Sequence, residues 1–148
     1  MPDLSLFNFK YSLKVRWSEV DAQRVVFNGN YLNYFDVAIS AYFEAIGMKY
    51  PASFLESEVD FFVRKAQILY HSPAHYNDLL DIYVRVAHIG NISLQILLEI
   101  MREHTHIASG ELIYVNTHLQ EKKPLPIPNH IQQMITEFER IPLTKTKS

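Results

Sequence analysis

Residues 30–46 form the segment that most constrains the fold of this chain. Their polar side chains recur every three or four residues and so share one narrow stripe of a helix: Asn33, Asp36, Ser40 and Glu44. Nearly all of the other side chains are apolar, so the predicted helix is apolar around most of its circumference. Such a helix must be enclosed on most sides, which one flat layer cannot achieve. We therefore expect a sheet that curls around it.

The rest of the chain alternates apolar and polar residues with the two-residue period of half-buried strands. The predicted strands are 10–18, 59–71, 79–88, 92–102 and 111–119, with a hairpin connection at 88–91 and a turn at 104–110. Tyr11, Leu13, Val15 and Trp17 share one side of the first strand. The order of strand, helix and four strands predicts an α+β fold, a single curled antiparallel β-sheet wrapped around one long central helix. Its open edges favour dimerisation.

The ends of the elements carry further expectations. Asn28 or Asn30 is suited to cap the start of the central helix, and Gly47 to end it in a left-handed conformation. Residues 129–139 are predicted to form a C-terminal helix, and residues 143–148 to be disordered.

Size and composition limit the classes of function. The 148 residues suit one domain, with a core over about 8–128 and a C-terminal extension over 129–148. A net charge of −2 gives no support to binding of nucleic acid or of an anionic membrane. The absence of cysteine excludes disulfides and thiolate chemistry. We expect a cytoplasmic location, since no basic and apolar leader begins the chain.

Short motifs for other chemistries are missing. There is no phosphate-binding loop, dinucleotide fingerprint or nucleophile elbow in the sequence. His104-Thr-His106 is the only close pair of histidines, and nothing beyond Glu103 suggests a third ligand. We therefore expect no metal ion and no cofactor.

The start of the central helix is the place where the sequence predicts chemistry. Asp21 lies in the loop that leads into the helix, so its carboxylate is expected beside the unpaired backbone N–H groups of a helix N-terminus. That combination offers a nucleophile or base together with donors for a developing oxyanion. A plain loop aspartate that caps a turn is the alternative. Glu19 is expected either at a solvated strand end or as an anion beside Asp21.

Three groups of residues carry a resemblance to a known family. They are Arg16-Trp-Ser-Glu19-Val-Asp21 with Val25-Val26-Phe27, then Asn30-Tyr31-Leu32 with Tyr34-Phe35, and finally Tyr70-His-Ser-Pro73-Ala74 with Asp78. In this order and spacing the chain resembles the 4-hydroxybenzoyl-CoA thioesterase-like branch of the hotdog-fold acyl-CoA thioesterases. The resemblance extends to Lys123-Pro-Leu-Pro-Ile-Pro128 and so covers nearly the whole chain.

The resemblance implies a function and a set of site residues. Family members form homodimers or homotetramers with active sites at the subunit interface, and they hydrolyse a thioester of coenzyme A or of acyl carrier protein. By position, Asp21 matches the catalytic aspartate, which acts as a nucleophile or as a base toward water. The backbone N–H of Asn28 matches the donor that polarises the carbonyl. The implied substrate contacts are Val26, Phe27 and Tyr31 with Trp17 at the acyl group, and Ser93 at the nucleotide arm.

Two departures from the family pattern keep other functions open. Gln23 and Arg24 stand where small residues are usual, and Asn28 stands where many members have a histidine. A non-catalytic protein that binds acyl-CoA or an acyl carrier is therefore one alternative to the thioesterase. A hydratase is another, but it would need a histidine paired with the aspartate, and residues 21–31 contain none.

Overall fold

A computed structural model describes residues 1–139 and the short strand Thr144–Lys145 of this protein. The strands are β1 (Phe9–Lys14), β2 (Asp60–Tyr70), β3 (Leu79–Ile89), β4 (Ser93–Arg102), β5 (Thr105–Thr117) and β6 (Thr144–Lys145). The helices are α1 (Asn30–Ala45), α2 (Ala52–Glu56) and α3 (Asn129–Phe138). The first five strands pair antiparallel in the order β1-β3-β4-β5-β2, and β6 pairs parallel with β3. The predicted strand, helix and four-strand order is confirmed.

The core lies between α1 and the inner face of the sheet. Every second residue of β3 and β4 is buried, as the two-residue period requires: Leu80, Ile82, Val84 and Val86 on β3, and Leu94, Ile96, Leu98 and Ile100 on β4. Against them α1 packs its buried residues Tyr31, Tyr34, Phe35, Ala38, Ile39, Tyr42 and Phe43. The expected curled sheet around a central helix is therefore the fold of this chain.

The helix is less enclosed than its sequence predicts. Besides the polar stripe, Leu32 and Val37 are 43% and 46% exposed. The sheet of one chain covers only the face of α1 that turns toward it. The outer apolar residues are left without a partner among the described residues of this chain.

Two strand boundaries differ from the predictions by four residues or more, whereas the others agree to within two residues. The first strand ends at Lys14 rather than residue 18, because residues 17–19 form a turn of 3-10 helix that leaves Trp17 73% exposed. The sequence predicts a turn at 104–110. In the structure the turn consists of Glu103 and His104, and β5 already begins at Thr105. Glu103 adopts the left-handed conformation (φ 52°) without being glycine, so the sequence carries no usual signal for this tight hairpin.

The C-terminal part packs on the core. Ile131 and Ile135 of α3 are fully buried. Glu139 follows the helix and accepts hydrogen bonds from the hydroxyl of Tyr42 (2.5 Å) and the backbone N–H of Val86 (3.1 Å). Burial raises the pKa of Glu139 despite these donors. The disorder predicted for 143–148 is wrong for β6, and the rest of that stretch lies outside the described residues.

Helix ends match the predictions only in part. Gly47 follows α1 with φ 104°, as expected for a left-handed C-terminal residue. At the other end the cap position belongs to Gly29, which makes no side-chain cap, so neither Asn28 nor Asn30 caps α1 as predicted.

The distance between α1 and the sheet is set by Gly110 on β5. A Cβ atom at Gly110 would lie 2.5 Å and 2.6 Å from Cε2 and Cζ of the buried Phe35. Because both groups are in the core, neither can move without disturbing its neighbours. We predict that Gly110→Ala lowers the free energy of unfolding by about 1–3 kcal/mol.

Urea denaturation measures this loss, with Thr105→Ala, an exposed residue at the start of the same strand, as the control. Equal stability of Gly110→Ala and the wild type would show that α1 has room to shift.

Candidate active site

Glu19 joins the loop that carries Asp21 to the start of α1. Its carboxylate accepts hydrogen bonds from the backbone N–H of Arg16 (2.8 Å) and from the Arg16 guanidinium (2.9 and 2.7 Å). The hydroxyl of Tyr34 on α1 donates to the same carboxylate (3.0 Å). Its backbone carbonyl accepts from the N–H of Phe27 (2.9 Å) and the side chain of Asn30 (2.9 Å). Glu19 is buried, so the expectation of a solvated strand end is wrong.

The charge of Glu19 is stabilised by these partners. Burial acts to raise its pKa, but the hydrogen bonds from Arg16 and Tyr34 outweigh burial and lower the pKa below the ordinary 4.5. Burial and the same contact raise the pKa of the Tyr34 hydroxyl. Glu19 is therefore an ionised structural group that holds the loop against the helix.

Asp21 lies in a tight loop between two short pairings. Val20 and Val26 form an antiparallel bridge, and within it the N–H of Asp21 donates to the carbonyl of Val25 (2.9 Å). The Oδ1 atom of Asp21 accepts from the N–H of Gln23 (2.8 Å), which is the turn-capping role considered as the alternative. Arg24 is left-handed (φ 67°). Among residues 1–139, no protein group donates to Oδ2 of Asp21, so one carboxylate oxygen stays available.

The backbone of Asn28 stands at the N-terminus of α1. Its carbonyl accepts from the hydroxyl of Tyr70 (3.0 Å) and from the N–H of Tyr31 (3.4 Å). Within residues 1–139, the N–H of Asn28 has no acceptor. The partial positive charge of a helix N-terminus reinforces such a donor toward an oxyanion. The geometry therefore fits the donor role predicted for the Asn28 amide.

Asn28 also lines a surface pocket of about 240 Å³. Val26, Asn28 and Tyr31 line it, together with Tyr70 and His71 from the end of β2. Burial raises the pKa of Tyr31, whose ring packs edge-on against Tyr70 at 5.3 Å. Three of the predicted site residues thus share one pocket.

The other predicted site residues lie elsewhere. Asp21 lines a neighbouring pocket of about 300 Å³ with Trp17 and Arg24. Phe27 is 51% exposed and its ring lies over Gly29, outside both pockets.

Ser93 is far from Asn28 within one chain. Ser93 pairs with Val115 of β5, whereas Tyr70, beside Asn28, pairs with Ala108 of the same strand. Val115 and Ala108 are seven residues apart, which is roughly 20 Å along a strand. The structure therefore does not bring Ser93 to the pocket at Asn28.

Sequence reasoning missed His71 and Tyr70 as lining residues. They are about forty residues from Asn28 in sequence, and only the pairing of β2 with β5 brings them to the helix N-terminus. Their one sequence signal was the Tyr70-His-Ser-Pro73-Ala74 signature, which indicated the family without indicating a role.

A further apolar cavity of about 260 Å³ runs along the exposed side of α1. Ile39 and Phe43 of α1 line it with Phe54 and Phe61, and Asp36 stands at its wall. The cavity can hold an apolar group of moderate size. Among the described residues, no three His, Cys, Asp or Glu side chains are arranged to hold a metal ion. No described helix is both long and apolar enough to cross a membrane.

A sequence model of the Thioesterase-like superfamily matches residues 15–135. The chain therefore belongs to the thioesterase-like superfamily, and the family expected from the sequence is confirmed.

Individual relatives agree with this assignment. The acyl-CoA thioester hydrolase YbgC of Escherichia coli O157:H7 is 26% identical over 133 residues, which cover 89% of this chain and 96% of the relative. The 1,4-dihydroxy-2-naphthoyl-CoA hydrolase of Synechococcus elongatus is 21% identical, and the aligned residues cover 86% of this chain and 95% of that relative.

Solved structures share the fold. The structure of a thioesterase from Thermus thermophilus, complexed with coenzyme A and Zn, superposes with a TM-score of 0.80 at 26% identity, covering 93% of this chain and 98% of that one. The structure of a 1,4-dihydroxy-2-naphthoyl-CoA thioesterase from Synechocystis superposes with a TM-score of 0.81 at 19% identity, and the match covers 90% of this chain and 98% of that one.

The Glu19 contacts lead to a prediction on stability and pH. A carboxylate whose pKa is lowered by folding stabilises the protein above its unfolded pKa, and the stabilisation is lost as the pH falls through the folded pKa. We predict that Glu19→Gln costs about 1–2 kcal/mol at pH 7, because charge-assisted bonds from Arg16 and Tyr34 become neutral ones.

Urea unfolding at pH 7 and at about pH 3 measures the effect, with the exposed Glu56→Gln as the control. The difference between Glu19→Gln and the wild type should shrink at the lower pH. A difference that is the same at both values would contradict an ionised, stabilising Glu19.

Proposed function

We propose that this protein is an acyl-CoA thioesterase, which hydrolyses an acyl- or aroyl-thioester of coenzyme A to the free acid and the thiol. The observation that carries the proposal is the Asn28 N–H at the N-terminus of α1, which has no acceptor within residues 1–139 and belongs to a residue that lines a pocket. The loop that carries Asp21 adjoins this pocket, because Val20, the residue before Asp21, pairs with Val26 in the pocket wall. The names of the relatives, which include acyl- and aroyl-CoA hydrolases, support the same reaction.

The reaction follows from the chemistry of these groups. The Asn28 amide donates to the carbonyl oxygen of the thioester and stabilises the negative charge that develops there. Asp21 supplies a carboxylate that either attacks the carbonyl carbon or takes a proton from water. The departing group is a thiolate, and the net reaction consumes one water molecule. No metal ion or cofactor is required for these steps.

The substrate's acyl group is proposed to occupy apolar surface near the helix. Val26 and Tyr31 stand beside the Asn28 amide, and the cavity along α1 is lined by aromatic rings. Phe27 and Trp17 are exposed in the single chain, so any contact with substrate would be at its outer edge. An acyl carrier protein could deliver the same thioester, and Ser93 would meet the nucleotide arm only if another subunit presents it.

We predict that Asp21→Asn lowers kcat for thiol release at least about 100-fold, since the variant has neither a nucleophile nor a base at this position. Asparagine keeps the Oδ1 acceptor for Gln23, so the loop is expected to stay folded. Free-thiol release is measured on short, medium, long and aromatic acyl-CoAs. Asp3→Asn serves as the control at the N-terminus of the chain.

The same panel distinguishes the alternative function. A wild-type protein that binds acyl-CoA and releases no thiol would be a non-catalytic binding protein. Equal rates in Asp21→Asn and the wild type would remove Asp21 from the mechanism.

The functional unit is proposed to be a homodimer built on the free edge of β2. This strand has eleven residues and carries exposed apolar side chains at both ends, including Val63 and Leu69 at 53% and 52%. A long edge strand presents unpaired backbone N–H and C=O groups, which are a template for pairing with another chain. Antiparallel pairing about a two-fold axis would bring Tyr70 of one chain toward Phe61 of its partner. The Asn28 pocket of one subunit would then meet the apolar cavity of the other, whether or not such dimers pair into tetramers.

We predict that Val63→Asp converts the dimer into a monomer and lowers activity at least tenfold, because a charge would be buried at the paired edge. Light scattering after gel filtration gives the mass, and thiol release gives the activity. Leu79→Asp is the matched control, since Leu79 is 59% exposed next to the opposite edge strand, β1. A dimer that persists in Val63→Asp would contradict the β2 interface.

A further inference from the structure

A cluster of polar side chains lies at the end of β2, outside the residues assigned above. His71 directly follows β2, Glu99 belongs to β4, and His106 and Ser109 belong to β5. Nε2 of His71 is 3.0 Å from Oγ of Ser109, which is 2.6 Å from Oε1 of Glu99. Nε2 of His106 is 2.7 Å from the same oxygen of Glu99. The two imidazole rings stack with their centroids 4.1 Å apart.

The proton positions in this cluster follow from its donors and acceptors. The Glu99 carboxylate can only accept, so the single hydroxyl proton of Ser109 points to Glu99 at 2.6 Å. Oγ of Ser109 also lies 3.1 Å from Nε2 of His106 and has no second proton to donate, so it accepts from His71, which assigns the ring proton of His71 to Nε2. In the neutral imidazole the other nitrogen, Nδ1, then carries a lone pair. A carboxylate, a hydroxyl and an imidazole in this order orient a base, because each hydrogen bond fixes the direction of the next.

The position of His71 connects this cluster to the candidate active site. His71 lines the pocket at the Asn28 amide, and the preceding residue, Tyr70, donates to the Asn28 carbonyl at 3.0 Å. The backbone N–H groups of His71 and Ser72 both donate to the carbonyl of Ile107, at 2.8 and 3.1 Å, which fixes the chain at this point. Asn28 itself cannot transfer a proton with its side chain. The pocket therefore contains an oriented imidazole, that of His71, beside Asn28, whose own side chain cannot act as an acid or a base.

We infer that His71 is a catalytic base of this protein and acts on the water that completes hydrolysis, an inference that rests on the proposed thioesterase function. In the first step the Asp21 carboxylate oxygen bonds to the acyl carbon as the C–S bond breaks, and the thiolate leaves with the bonding electrons. In the second step water attacks the acyl carbon and gives a proton to Nδ1 of His71. The acyl–Asp21 bond breaks and restores the carboxylate, and the proton returns from His71 to the thiolate or to solvent. One thioester and one water thus yield one acid and one thiol.

The time course of thiol release tests this division of roles. Rapid mixing of enzyme with excess acyl-CoA is followed with a thiol reagent. In His71→Gln, the first step is intact and the second is impaired. We expect a burst of about one thiol per active site, followed by a steady rate lowered about 100- to 1,000-fold. His104→Gln, in the exposed turn before β5, is the matched control and should keep the wild-type steady rate.

Two further variants examine the orientation of the base and the identity of the nucleophile. Ser109→Ala removes the partner of Nε2, so we expect the same burst and a steady rate lowered about tenfold. Asp21→Asn should give no burst. Circular dichroism shows whether each variant is folded, and His71 is an exposed residue whose change should leave the core intact.

The outcomes separate this inference from the function on which it rests. A steady rate in His71→Gln that equals the wild-type rate overturns the role of His71 and leaves the thioesterase function in place. A slow steady rate without a burst also overturns it, because His71 would then act before the C–S bond breaks. No thiol release by the wild type on any substrate overturns both.

Discussion

The carboxylate of Glu19 is the group on which the geometry of the candidate site depends. Glu19 is buried, and its carboxylate holds Arg16, just after the first strand, and Tyr34 on the helix. Its backbone carbonyl holds the loop through the N–H of Phe27. A buried charge is costly without such partners, and the lowered pKa indicates that the partners outweigh the cost of burial. Because Asp21 and Asn28 follow on the same loop, these contacts contribute to their positions relative to α1, together with the Val20–Val26 bridge and the bond from Tyr70 to Asn28.

The depth of α1 in the sheet is the second constraint on the site. The helix must bury its aromatic residues, and it approaches β5 at the only kind of residue that leaves room for Phe35, a glycine. The pairing of β2 with β5 then brings Tyr70 to the carbonyl of Asn28. The contacts that stabilise the fold therefore also hold Asn28, whose N–H has no acceptor within residues 1–139, at the pocket that it lines.

The fold could be predicted from the sequence because its signals are local. Alternation over β3 and β4 and the three- and four-residue spacing of α1 need only the order of residues. The failures were also local in origin. Gly110 indicated a turn but lies inside β5, where its lack of a side chain serves packing, while the true turn uses Glu103 in a left-handed conformation. Trp17 continued the alternation but is exposed, because the Arg16–Glu19 contact bends the chain into a turn.

The candidate site could be predicted only where it lies on one continuous segment. Val26, Asn28 and Tyr31 are such a case, since they surround the start of one helix.

His71 could not be found in this way, because its place depends on the register between β2 and β5 and its hydrogen bonds depend on β4 as well. Its neighbours Ser109 and Glu99 are likewise paired across strands, so no spacing in the sequence reports their contact. Alternation assigns each residue to a face of the sheet, but the register decides which residues on that face meet. A cluster of side chains from several strands can therefore be recognised in the structure but not from the sequence alone.

The distribution of apolar surface argues that one chain is not the whole site. Within the described residues, the sheet buries one side of α1 and leaves Leu32 and Val37 exposed, and the outer edge of β2 has no partner strand. The apolar cavity lies at the Phe61 end of β2, whereas the Asn28 amide lies at the Tyr70 end. In the proposed two-fold pairing, the apolar cavity of one chain would be presented to a thioester bound at the Asn28 amide of the other. That proposed pairing would account together for the exposed helix face, the open edge of β2 and the separation of the two pockets.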